Sequence, residues 1–72
     1  MNETQWVECH SSSTYAERPA AFYWQNQRLE VESILARWRT PGARCFRVLT
    51  RGQRIFELQY DENADVWRIQ QV

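Results

Sequence analysis

The sequence predicts a mostly β domain: a small antiparallel, strongly bent sheet or SH3-like barrel of four to six strands, with at most one short helix. Three observations carry this expectation. From Phe22 onward the apolar residues recur mainly at every second position, which is the period of a half-buried strand. Turn-forming residues interrupt them at short intervals, at Asn26, Pro41 and Gly42, Gly52 and the acidic run 61–65. Finally, 72 residues that are 43% hydrophobic, with four Trp, three Tyr and three Phe, supply one core and no second one.

Residues 1–19 form an N-terminal edge strand and polar loop, and residues 20–72 a barrel-like core of the same domain. The strand is short and β-prone over residues 5–9, and the loop follows from His10 through three serines and Thr14. Phe22 and Trp24 then alternate with Ala21, Tyr23 and Gln25, and Asn26 with Gln27 suits a tight turn because Asn tolerates positive φ. Leu29 and Val31 face one side of the next strand, opposite Arg28, Glu30 and Glu32.

Residues 31–39 read in two ways. Val31, Ile34, Leu35 and Trp38 fall at i, i+3, i+4 and i+7, the spacing of a helix stripe. They also fit a strand whose inward face shifts at a bulge between Val31 and Ile34, and this is favoured because an isolated two-turn helix has little intrinsic stability. Pro41 and Gly42 fit the central positions of a type II turn. Phe46 and Val48 alternate with Arg47, Arg51 and Gly52 supply a hairpin turn, and Phe56, Leu58 and Tyr60 alternate with Glu57 and Gln59. After the acidic turn, Trp67 and Ile69 oppose Val66, Arg68 and Gln70. Trp24, Trp38 and Trp67 are assigned to the core, and Trp6, Tyr15 and Tyr23 are the candidates for exposed rings.

The pattern Glu17, Arg18, Pro19, Phe22 and Trp24, then Val31, Ile34, Trp38 and Arg39, then Phe46, Arg47 and Val48, then Phe56, Glu57, Leu58, Tyr60 and Asp61, and last Trp67, Arg68 and Ile69, resembles a family of small bacterial domains of unknown function. Members occur as short stand-alone proteins, and related domains lie at the C-terminus of polymerase-like proteins of error-prone DNA repair. The resemblance covers residues 15–70 and implies a bacterial β domain; it supplies no catalytic residue. This chain is shorter between Trp38 and Phe46 than the polymerase-linked domains.

Nine Arg balance nine acids, so binding of a polyanion by bulk charge is not expected. The balance is uneven along the chain. Residues 1–27 carry a net −2, residues 28–56 a net +5 and residues 57–72 a net −3. Within residues 37–54 there are six Arg and no acid: Arg37, Arg39, Arg44, Arg47, Arg51 and Arg54. Guanidinium groups grip phosphate in a bidentate fork and stack on bases, so these six, with Trp6 and Tyr23, are the candidate nucleic-acid or partner site. The competing expectation is a charged outer face whose Arg pair with the acids at 57–65.

No catalytic set is expected. His10 is the only histidine, and two glycines make neither a phosphate loop nor a nucleophile elbow. Cys9, His10 and Cys45 could offer three zinc ligands, but neighbours such as Cys9 and His10 point to opposite faces of a strand, so no metal and no cofactor is expected. The acidic run lacks the spacing of a calcium loop. With no basic-then-apolar leader and no long apolar run, a cytoplasmic protein with reduced cysteines is the expectation. The function expected is a non-enzymatic binding module contacting nucleic acid through the Arg-rich stretch. The alternative is a structural or protein-interaction module, self-associating through an exposed strand edge or aromatic patch, with no nucleic-acid role.

Overall fold

The computed structural model describes residues 6–9 and 18–72. Its strands are β1 (Val7–Cys9), β2 (Pro19–Trp24), β3 (Gln27–Thr40), β4 (Ala43–Thr50), β5 (Ile55–Asp61) and β6 (Val66–Gln71). All pair antiparallel in chain order, and the sheet curls into a half-barrel. There is no helix among the described residues, so none is long and apolar enough to cross a membrane. The loop expected over residues 10–17 lies outside the described residues, as do His10 and Tyr15.

Residues 31–39 are strand. β3 pairs with β2 only over residues 27–30, and with β4 from Val31 to Thr40, so this one strand passes from the first half of the sheet to the second. Two register shifts bend it, one between Val31 and Ser33 and another between Ile34 and Ala36. The first is the bulge that the Val31 and Ile34 spacing requires. Each bulge adds one residue on β3 against β4 and so reverses the inside–outside alternation. Ile34 therefore faces inward beside Val48, while Trp38 aligns with Cys45 on the outer face and is 39% exposed. The expectation that Trp38 belongs to the core is corrected by the second bulge. Leu35, the extra residue there, is exposed as well.

The core sits on the concave face. Phe22, Phe46, Val48, Phe56, Leu58 and Ile69 are buried together, and Val7, Trp24, Leu29, Val31, Ile34 and Trp67 pack against them. Phe56 is the hub of the rings, edge-on to Phe22 at 5.0 Å and to Trp24 at 5.1 Å. Trp67 lies 5.1 Å from Tyr60 and 6.1 Å from Phe46 at the other end.

The turns follow sequence chemistry with two displacements. Gln25 and Asn26 hold φ of 51° and 66°, the paired positive values of a type I′ hairpin, so the turn falls one residue earlier than expected and Gln27 opens β3. In the β4–β5 connection the positive φ, 67°, falls on Gln53 rather than on Gly52. The reason lies in how Thr50 closes that loop: its carbonyl accepts from Gln53 N–H at 2.9 Å and its hydroxyl from Arg54 N–H at 3.2 Å. Gln53→Gly is therefore expected to stabilise the protein by about 0.5–1 kcal/mol, since glycine removes the left-handed strain. Thermal unfolding should show a rise of a few degrees.

Pro41 and Gly42 make the expected turn, with Gly42 at φ 81°. Its carbonyl accepts from Glu62 N–H at 2.8 Å, tying the β3–β4 turn to the β5–β6 turn. In that second turn the Asp61 carboxylate accepts from the N–H groups of Asn63 and Ala64 at 3.0 and 3.1 Å, an ordinary backbone role for an aspartate at a turn.

Candidate functional site

The six candidate Arg do not share one face. Residues directly opposite in an antiparallel pair lie on the same face. Arg37 aligns with Phe46, and Arg39 with Arg44 and so with Tyr60 and Trp67, which puts these three Arg on the concave side at the Pro41–Gly42 end. Arg47 aligns with Glu57 on the outer face. Arg51 and Arg54 belong to the β4–β5 connection.

Four of the six are engaged by acids. Arg44 meets Glu62 at 3.0 Å and Arg39 shares that carboxylate at 3.4 Å. Arg47 binds Glu57 at 2.6 Å, and Arg51 binds Glu30 at 3.2 Å. Arg37 and Arg54 make no ion pair with a described residue, although Arg54 lies over the Phe56 ring at 5.3 Å. The pairing of Arg39 and Arg44 with Glu62 and of Arg47 with Glu57 realises the intramolecular alternative for part of the cluster. The sites are exposed enough that each such pair contributes little stability.

Trp6 and Tyr23 are both exposed, at 56% and 40%. Tyr23 N–H donates to the Trp6 carbonyl at 3.0 Å. Beside Tyr23 on the same face is Arg28, which holds Glu8 of β1 through Nη2 at 2.8 Å and Glu30 through Nη1 at 3.1 Å. The Arg28 hydrogen bonds keep the Glu8 carboxyl below its usual range, and the two acids raise the Arg28 guanidinium. A carboxylate whose folded value is lowered contributes its stability above the unfolded value and loses it as pH falls through the folded one. Acidification below the usual glutamate range should therefore release this tether of β1. Faster hydrogen exchange of the Tyr23 amide, ahead of the β4 and β5 amides, is the expected result.

Two surface depressions border β3. One, of about 610 Å3, opens where the start of β2 diverges from β3, and Arg18, Arg28, Arg37 and Arg51 line it together with Glu30 and Glu32. Arg18 makes no ion pair with a described residue. The other, of about 720 Å3, lies on the outer face between Trp38, Gln59, Val66 and Arg68. There Arg47 stands over the Trp38 ring at 5.9 Å. Cys45, aligned with Trp38, is buried, and that burial raises its thiol pKa, so it stays protonated near neutral pH. Of the zinc set considered from the sequence, His10 is outside the described residues, and among the described residues no three metal-ligating side chains gather.

The sequence suggests an exposed strand edge as an interaction surface but does not locate it; the structure places one along β3. From Val31 to Thr40 its far side has no strand partner among the described residues: β2 begins at Pro19, and its ladder with β3 reaches only the Ala21 and Glu30 pair. The two bulges blunt this edge up to Ala36, as edge bulges do. Residues 36–40 are regular. The two-residue turn makes Thr40 and Ala43 a hydrogen-bonded pair, and such pairs alternate along the ladder, so Trp38 bonds to Cys45. The N–H and C=O groups of Arg37 and Arg39 therefore point out along the free edge. Only a bulge count made in advance could have found this, and the second bulge leaves no turn residue in the sequence to mark it.

Comparison with protein-family models, with characterised proteins and with solved structures finds no match to this chain.

Proposed function

We propose that this protein is a non-enzymatic, cytoplasmic binding module that receives an extended polypeptide segment along the free edge of β3. The observation that carries the reading is the run of regular edge at residues 36–40, unpaired among the described residues, with the main-chain groups of Arg37 and Arg39 directed outward. Strand addition satisfies such groups with a second backbone and takes its selectivity from the side chains on either side. β6 also has a side unpaired among the described residues, but the side chains on its concave face, Trp67, Ile69 and Gln71, are uncharged. Selection from a random linear peptide library tests the proposal. Binders should move the backbone amide signals of Arg37 and Arg39, whereas binders that move only β6 amides would place the site elsewhere.

A second reading keeps the nucleic-acid role, on the outer face. It is favoured by the Arg47 guanidinium over the exposed Trp38 ring, a pair able to stack with a base. Fluorescence anisotropy with labelled single strands at two salt concentrations tests it. Binding that weakens with salt and is lost in Trp38→Ala supports this reading, and no binding at low salt ends it.

A further inference from the structure

The edge of β3 that is unpaired among the described residues carries its own description of a partner. Arg37 and Arg39 place both their outward main-chain groups and their side chains along it, with the side chains on the concave face. Arg37 has no acid partner among the described residues, and Arg39 is 62% exposed with only a share of Glu62 at 3.4 Å. Arg18 joins Arg37 in the crevice alongside. Trp38, between the two, presents its ring on the opposite face.

Three occupants can be compared on this geometry. A phosphodiester strand offers acceptors alone, so the outward carbonyls of Arg37 and Arg39 would face like charge and remain unsatisfied. A second copy of β3, paired antiparallel about Trp38, would set Arg37 of each chain opposite Arg39 of the other, and like charges directly opposite destabilise a strand pair. A polypeptide with carboxylates opposite the two Arg meets both demands. Its backbone completes the ladder, and its acids answer the side chains.

We infer that the partner is an acidic extended segment of another protein, with Asp or Glu opposite Arg37 and Arg39 and an apolar or aromatic residue opposite Trp38. This rests on the strand-addition reading and specifies the ligand of the same edge. The alternation acid, apolar, acid follows from the period of two along a strand. The concave-face acids meet the Arg pair while the intervening side chain covers Trp38 on the other face.

The test uses the full chain and three blocked peptides: Thr-Val-Glu-Val-Glu-Val-Thr, the same peptide with Gln for both Glu, and the same with Lys. Calorimetric titration should rank them Glu, Gln, Lys, with the Glu peptide about fivefold to tenfold tighter than the Gln peptide, as two partly exposed ion pairs give. The double variant Arg37→Glu with Arg39→Glu should reverse the order and prefer the Lys peptide, with circular dichroism showing the sheet intact. Equal affinity for the Glu and Gln peptides overturns the acidic specificity and leaves strand addition standing. Failure of all three peptides to bind folded protein overturns both. Sedimentation showing a dimer that the double variant abolishes assigns the edge to a second copy and overturns the inference.

Discussion

Phe56→Ala is expected to lower stability by about 3–5 kcal/mol, the usual cost of truncating a fully buried aromatic ring. The ring is inaccessible to solvent and is the one that Phe22 and Trp24 both meet edge-on. Truncation therefore removes two ring contacts and leaves a void between β2 and β5 that the curled sheet can close only by flattening. A 72-residue domain has about 4–11 kcal/mol of total stability at the usual per-residue value. The variant should be largely unfolded at physiological temperature, and chemical denaturation followed by tryptophan emission would show the midpoint move to little or no denaturant. A native-like midpoint would mean that the concave face is not the core.

The second large effect is expected at Gly42. Its φ of 81° lies in the left-handed region, and a Cβ built there would stand 3.2 Å from Asn63 Nδ2 in the neighbouring turn. Gly42→Val adds a β-branched side chain where that conformation is most costly, at about 2 kcal/mol of strain in all. The same movement disturbs the hydrogen bond from Glu62 N–H to the Gly42 carbonyl, and with it the position of the carboxylate shared by Arg39 and Arg44. The melting temperature should fall by about 10 °C. Gly42→Asn, which tolerates positive φ, should lose less than half as much. Equal losses in the two variants would show that crowding against Asn63, and not backbone strain, sets the cost.

How much could be read from the residues depends on where the period of two survives. β4, β5 and β6 follow simple alternation, and Phe46, Val48, Phe56, Leu58 and Ile69 are buried as their spacing indicates. The turns at Pro41 and Gly42 and at residues 61–65 were equally legible, since proline, glycine and aspartate have backbone roles independent of tertiary context. β3 was legible as a bent strand at Val31 and Ile34 but not beyond. Its second bulge involves Ile34, Leu35 and Ala36, none of them a bulge signal, and it turns Trp38 outward against its apolar character. The ion pairs are hidden for a different reason. Glu62 reaches Arg39 and Arg44 from 23 and 18 residues away, and such separations acquire meaning only once the register of β3, β4 and β5 is fixed. Arg18 and Arg28 were overlooked beside the acid-free stretch because their importance comes from the place where β2 and β3 part.

The meander order of the sheet also bears on how the protein reaches its native state. Among the described residues every strand pairs only with its neighbours in sequence, and the loops between the core strands are short. Each hairpin can therefore form without first closing a long stretch of chain, which is the entropic cost that slows most all-β proteins. The β3–β4 hairpin, with the longest register and a turn preset by proline, is the natural nucleus, and the remaining strands can add outward from it one by one. Folding in milliseconds, at the fast end for a sheet protein, is the kinetic counterpart of this strand order.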